Sequence, residues 1–239
     1  MRRLVLAAVL ATAVSPVSAV SLSSTITATT DYLFDGVSQT QGDSTDRYVH
    51  PALQASLDFE WESGFYVGIW GSNVDFGSYE EPEGSGLFVD DPADVEINLY
   101  AGYAWEVGEG FGFDVGAVHY LYTGAPTSGY DYTEVTFGVT FPIGSELRAW
   151  ATDDDDVFGG FSWRIKGTHS FELSEDYSLD LEVTRTDFPD DSFWHGQLGV
   201  SRSIGAFDLY LGYSDTTLSD DPLGDGRFLF TLSTTLDIF

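Results

Sequence analysis

Cysteine is missing from this 239-residue chain, so neither a disulfide framework nor a thiolate metal site can be built. Basic residues are scarce: 9 Lys plus Arg stand against 39 Asp plus Glu, a formal charge of −30, which disfavours nucleic acid and anionic surfaces as partners. Beyond the leader Lys166 is the one lysine. No apolar run approaches the roughly 18 residues of a transmembrane helix, so a membrane protein with this sequence would have to be a β-barrel. The G-x-S-x-G, H-E-x-x-H and calcium-loop spacings do not occur, which removes the local signatures of several hydrolases and of EF-hand-type sites.

What is present begins with Arg2-Arg3, an apolar run from Leu4 to Val14, Pro16, and the small residues Val17-Ser18-Ala19. That order is an export signal, with cleavage expected after Ala19. Residues 1–19 are read as signal peptide and 20–239 as a single domain.

The domain alternates with a period of two. From Val49 to Trp61, positions Val49, Leu53, Ala55, Leu57, Phe59 and Trp61 are apolar, while His50, Gln54, Ser56, Asp58 and Glu60 are polar, so one face is apolar and the other wet. Such an arm is longer than the roughly 5–6 residues of a globular strand and suits a tilted bilayer crossing of about 9–11. Twelve segments of this kind are readable. The one from Phe111 changes phase, from Phe113, Val115 and Ala117 to Val118, Tyr120 and Tyr122, which predicts a bulge near His119.

Connections alternate in kind. Glu62 to Gly64, Val107 to Gly110, Pro142 to Glu146, Glu172 to Asp176 and Ser203 to Ala206 are tight, whereas Asp35 to Arg47, Gly77 to Asp94, Thr123 to Asp131, Asp153 to Asp156, Asp187 to Ser192 and Ser214 to Gly226 are mostly longer and rich in acid. The pattern predicts an all-β, transmembrane, antiparallel up-and-down β-barrel of about 12 strands, with short periplasmic turns and long acidic extracellular loops, in preference to a secreted β-sandwich or lipocalin-like barrel. Aromatic residues form two expected lipid-interface girdles: Phe59, Trp61, Phe65, Trp105, Phe111, Phe141, Tyr177 and Phe207 at the periplasmic rim, and Tyr32, Phe34, Tyr120, Tyr122, Trp194, Tyr213 and Phe228 at the outer one. Expected partners are outer-membrane lipid, the assembly machinery through the last strand ending in Phe239, and small solutes or cations, with no nucleic acid; the expected location is the outer membrane of a Gram-negative bacterium.

Several stretches resemble a known family. Asp31 to Thr40 (DYLFDGVSQT), Glu62 to Tyr66, Trp70 to Phe76 (WGSNVDF), Glu96 to Tyr103, Asp114 to Tyr122 and Tyr132 to Val135 are similar to the TorF family of proteobacterial porin-like proteins. The resemblance implies an outer-membrane barrel and a channel, and brings no substrate and no catalytic residues. Where that family usually has a basic residue, this chain has Asp35, so a cation at the outer end of strand one does not carry over.

With apolar faces on lipid, the opposite faces line the lumen. Candidate pore-lining residues are Asp58, Glu60, Glu96, Asp114, Glu134, Arg148, Arg164, Lys166, Asp180, Glu182 and Asp208, in which acids outnumber bases eight to three. A narrow acidic lumen concentrates cations, so the expected function is a weakly cation-selective channel for small hydrophilic solutes or ions. The other arrangement has Arg148, Arg164 and Lys166 neutralising Glu134, Asp180 or Glu182 and closing the barrel, which would then act structurally or adhesively through its loops. A third reading is a rim hydrolase using His50 or His195 with Asp46, Asp190 or Asp191; a His near an Asp in acidic loops is expected by chance, so no enzyme is assigned, and no catalytic, cofactor-binding or metal residues are named. The loop acids, Asp153 to Asp156 among them, read as a solvated surface.

Overall fold

The period-two pattern becomes a closed ring of twelve antiparallel strands. The computed structural model describes residues 20–44, 49–77, 79–80, 88–89, 93–124, 130–218 and 221–239. Residues 1–19, where the sequence predicts an export signal, and Asp46, Glu81, Glu83, Asp90, Asp91 and Asp220 of the acidic loops, lie outside the described residues. The wall strands are β1 (Val20–Thr29), β2 (Ala52–Trp61), β3 (Phe65–Asn73), β4 (Val95–Val107), β5 (Phe111–Thr123) and β6 (Tyr132–Thr140). They continue with β7 (Glu146–Asp154), β8 (Gly160–Glu172), β9 (Tyr177–Asp187), β10 (Ser192–Ile204), β11 (Phe207–Thr216) and β12 (Arg227–Asp237). Each strand pairs with its sequence neighbours, and β1 pairs with β12, so no edge is left open. The Leu22 N–H donates to the Phe239 carbonyl and the Ile238 N–H to Leu22, so the last residues complete the closure.

The wall is inside out relative to a globular protein. Leu53 is 64 %, Val135 61 % and Leu211 59 % exposed on the outer surface, while Glu96, Thr184 and Ser214 are buried inside. An apolar belt of this extent on a closed barrel is stable against lipid rather than water. Arg185 lies over the Trp194 ring at 5.5 Å near the long-loop end, and Arg202 over Tyr177 at 4.9 Å near the tight-turn end. Both sit on the outer wall, where a cation resting on an aromatic ring suits a headgroup region.

Tight turns gather at one end, where Gly64, Gly108, Gly144 and Gly205 all take positive φ. At Gly64 the reversal also brings the backbone against β4, where Ala104 N–H donates to the Gly64 carbonyl at 2.8 Å.

Two sequence expectations are corrected. Strand β5 pairs with β4 residue for residue from Phe111 to Thr123, with no bulge near His119. The phase change has another cause: Tyr120 and Tyr122 keep the lumen-facing parity and spend their rings inside the barrel. The outer girdle is correspondingly smaller, because Trp194, Tyr213 and Phe228 face outward whereas Tyr120 is buried and Tyr32 and Phe34 lie beyond the end of β1 in a segment that turns inward.

Candidate functional site: the barrel interior

The segment from Asp31 to Gln41 crosses the lumen rather than standing above it. Leu33–Phe34 pairs with Val37–Ser38 in a two-residue hairpin, and its turn needs left-handed backbone at Asp35 (φ 48°) and Gly36 (φ 87°). A Cβ at Gly36 would come to 2.6 Å from the Thr216 methyl and would strike the His195 ring, so only glycine lets the tip lie against β10 and β11. The opposite side reaches the other wall, where Tyr32 packs on Trp70 at 5.4 Å and donates its hydroxyl to Glu96 Oε1 at 3.1 Å.

Two arginines anchor the segment. Arg227 donates from Nη1 to Asp31 Oδ2 at 2.5 Å and to Gln41 Oε1 at 2.9 Å, and from Nη2 to the carbonyls of Pro222 and Leu223, both at 2.9 Å. Asp31 also accepts from the hydroxyls of Ser38 (2.7 Å) and Thr40 (2.9 Å), so its carboxylate is fully engaged. Arg164 is bound to Glu134 Oε2 at 2.7 Å and Asp35 Oδ1 at 3.4 Å, donates to Tyr120 Oη at 3.0 Å, and lies over Phe34 and Trp150 at 4.4 and 4.0 Å. Asp35 is 2 % exposed; it also meets Lys166 at 3.6 Å and accepts from Thr186 Oγ1 at 3.1 Å. Charges this deep are tolerable only because each is paired and hydrogen-bonded. Asp35 is thus a carboxylate on the inward segment that takes its cations from the wall.

The eleven candidate pore-lining positions divide between the two ends. Glu96, Glu134, Arg164, Lys166 and Glu182 are drawn into the outer cluster, with Lys166 to Glu182 at 2.7 Å. Asp58, Glu60, Asp114 and Arg148 line a cavity of about 630 Å³ on the tight-turn side of that cluster. There Arg148 binds Asp114 at 2.6 Å and Glu146 at 2.8 Å, Tyr66 donates to Asp114 at 2.7 Å, and Tyr100 donates to Asp58. Asp180 accepts from Ser170 at 2.5 Å and from Ser178 and Ser201, and Asp208, which accepts from Ser203 at 2.5 Å, is exposed at the rim.

Pairing within the lumen is therefore partial: Arg164 with Glu134 and Lys166 with Glu182 pair as the sequence predicts, whereas Arg148 takes Asp114 rather than Asp180, and Asp35 joins Arg164 and Lys166. Sequence reasoning missed Asp31, Asp35 and Arg227. Their available signal was indirect: Asp31 to Gln41 carries Tyr32, Leu33 and Phe34 amid two acids, unlike the acid-dense loops elsewhere.

His195 is buried, and its nearest carboxylate is Glu182 at 3.4 Å from Nδ1, not Asp190 or Asp191; its Nε2 is 2.9 Å from Ser214 Oγ. Serine, imidazole and carboxylate thus stand in a row on β11, β10 and β9, but Ser214 is 1 % exposed and the His195 ring lies against the Gly36 tip. His50 lies at the start of β2 and bridges to Asp31 through its backbone. Among the described residues no three His, Asp or Glu side chains are grouped as a metal site.

A family model described as bacterial protein of unknown function (Gcw_chp) matches residues 12–235. The chain belongs to the Gcw_chp family. No curated protein matches this Gcw_chp chain significantly. Among solved structures it is similar to the KdgM porin (7 % identity, 91 % of this chain and 99 % of that one, TM-score 0.57) and to the NanC porin (8 %, 92 % and 100 %, TM-score 0.52). A COG4313 outer-membrane channel from Pseudomonas putida F1 is also similar, at 12 % identity over 98 % of this chain and 100 % of that one, with a TM-score of 0.53. These likenesses show the fold, a closed twelve-stranded barrel of the outer-membrane porin type.

Proposed function

We propose that this Gcw_chp protein is an outer-membrane channel for small hydrophilic solutes or ions, weakly cation-selective, and narrowed in its outer half by the segment from Asp31 to Gln41. The observation that carries the proposal is a polar, acid-rich interior inside an apolar wall, with a cavity of about 630 Å³ that no segment among the described residues fills on the tight-turn side. To the eight acids and three bases of the strands the inward segment and β12 add Asp31, Asp35 and Arg227, so the excess of carboxylate persists. Fixed negative charge between low-dielectric walls raises cation concentration in a pore. The export leader, the tight turns read as periplasmic, the TorF resemblance and the porin-like fold support the location. Passage through the last strand and Phe239 to the assembly machinery belongs to the same proposal.

The test is planar-bilayer recording of refolded protein in a KCl gradient. Discrete steps with a reversal potential on the cation side are expected; an anion-side potential would refute the selectivity.

Two other readings each have an observation. The two-arginine anchoring of the inward segment favours a closed structural or adhesive barrel, which would fold, judged by heat-modifiable migration, yet stay silent in the bilayer. The Ser214–His195–Glu182 row favours a hydrolase that works only when the segment withdraws. Ester hydrolysis that disappears in Ser214→Ala and His195→Ala would favour it, and a channel would be indifferent to both changes.

A further inference from the structure

On the long-loop side of the inward segment lies a second cavity, of about 340 Å³, whose floor is Phe34 and Val37. Its walls are aromatic. Phe158 and Phe188 stack at 5.5 Å with planes 8° apart, and Tyr132 meets Phe158 edge-on at 4.8 Å. On another side of the cavity, Phe76 packs on Tyr122 at 5.4 Å and on Tyr130 at 5.5 Å. Tyr122 and Tyr132 face the lumen from their strands, and the loop rings of Phe76, Tyr130, Phe158 and Phe188 line the same cavity above the inward segment, so contact with lipid does not account for them. The volume is in the range of small-molecule sites, and a lining of mostly aromatic residues with few polar groups is the composition such sites have.

The charges give the ligand's sign. Among the described residues no lysine or arginine lines the cavity, whereas Asp35, Asp191 and Asp221 do. Asp35 is committed to Arg164 and Lys166 beneath the floor. Asp191 and Asp221 use one oxygen each on a backbone N–H, of Ser192 (2.6 Å) and Leu223 (2.9 Å), which holds the carboxylates in place and leaves each a second oxygen. Aromatic faces and carboxylates both attract positive charge, and the combination of several rings with a nearby acid recognises ammonium groups with an apolar body. An anionic ligand meets no cationic side chain among the described residues of the lining.

We propose that this cavity is a binding site for a small organic cation, an alkyl- or arylammonium, held between Phe158, Phe188 and Tyr132 on one wall and Phe76 and Tyr122 on another, with Asp191 and Asp221 as counter-charge. The site does not depend on conduction, because it requires only the folded barrel and the inward segment as floor.

The experiment is isothermal titration of refolded protein in a maltoside detergent, which carries no ammonium headgroup, with benzyltrimethylammonium as probe and benzyl alcohol and benzoate as neutral and anionic comparators. Heat-modifiable migration checks that each variant is folded. Saturable binding of the cation is expected, about tenfold tighter than benzyl alcohol, with no binding of benzoate. Phe188→Leu, which keeps apolar bulk and removes the ring, should weaken the cation and leave benzyl alcohol nearly unchanged; Asp191→Asn combined with Asp221→Asn should weaken the cation alone. No saturable binding of the cation, benzyl alcohol binding as tightly as the cation, or an unchanged cation affinity in both variants would each overturn the proposal.

Discussion

The outer and inner halves of the lumen are made by the same twelve strands, yet they use their charges differently. In the outer half Arg164 is 8 % exposed and surrounded by Glu134, Asp35, Tyr120, Phe34 and Trp150; in the inner half Arg148 is 30 % exposed and binds Asp114 and Glu146 beside a cavity. One arginine has become part of a packed core and the other remains a wall charge. The difference comes from eleven residues, Asp31 to Gln41, which enter from the long-loop end and desolvate whatever they cover. A barrel of this size lies between small barrels filled by side chains and wide porins, so one short inward segment suffices to move half of it from one regime to the other.

Removing that segment should have the largest effect. Replacing Tyr32 to Gln39 by a short glycine-serine link leaves the wall pairing intact and should raise single-channel conductance several-fold. Breaking its anchor comes next. Arg164→Ala leaves Glu134 and Asp35 buried with a missing partner, and should cost about 3–5 kcal/mol in denaturant unfolding from vesicles. The matched change in the inner half, Arg148→Ala, should cost only about 1–2 kcal/mol, because the carboxylates it abandons are nearer water and Asp114 keeps Tyr66. Gly36→Ala tests the tip: left-handed backbone and contact with His195 and Thr216 together should destabilise by about 1–3 kcal/mol and loosen the segment, read as added conductance noise. The smallest effect is expected in charge alone. Asp58→Asn with Glu60→Gln should move the reversal potential in a salt gradient toward zero while stability stays within about 0.5 kcal/mol, since Glu60 is exposed and Asp58 retains Tyr100 through its amide.

Equal costs for the two arginine variants would dissolve the distinction between the halves. A larger cost for Arg148 would reverse it.

The wall was legible in the sequence because alternation is a local signal: Asp58 and Glu60 follow directly from a period of two beside Leu57 and Phe59, and strand count and turn lengths follow from the same reading. The interior cluster was not, because it depends on a loop that returns 129 positions along the chain to meet its partner, as Asp35 does with Arg164. No short-range pattern records that meeting. The same blindness produced the bulge expected near His119. Alternation alone assigns the rings of Tyr120 and Tyr122 to lipid, whereas the inward segment supplies Phe34 to pack against Tyr120 at 6.2 Å, an apolar partner for a lumen-facing aromatic that no local pattern shows. Parity puts Asp180 and Asp208 on the polar face of their strands, but how far each lies from the cluster depends on strand tilt and stagger, which sequence does not specify.

A paired bilayer recording would decide whether the inward segment governs passage: single-channel conductance of the intact chain and of the variant lacking Tyr32 to Gln39, in the same KCl gradient. Small steps from the intact chain, larger steps from the variant, and cation-side reversal potentials in both are the expected result. Equal conductance in the two proteins would contradict the account, and would mean that ions travel by a route the Arg164 and Arg227 cluster does not narrow.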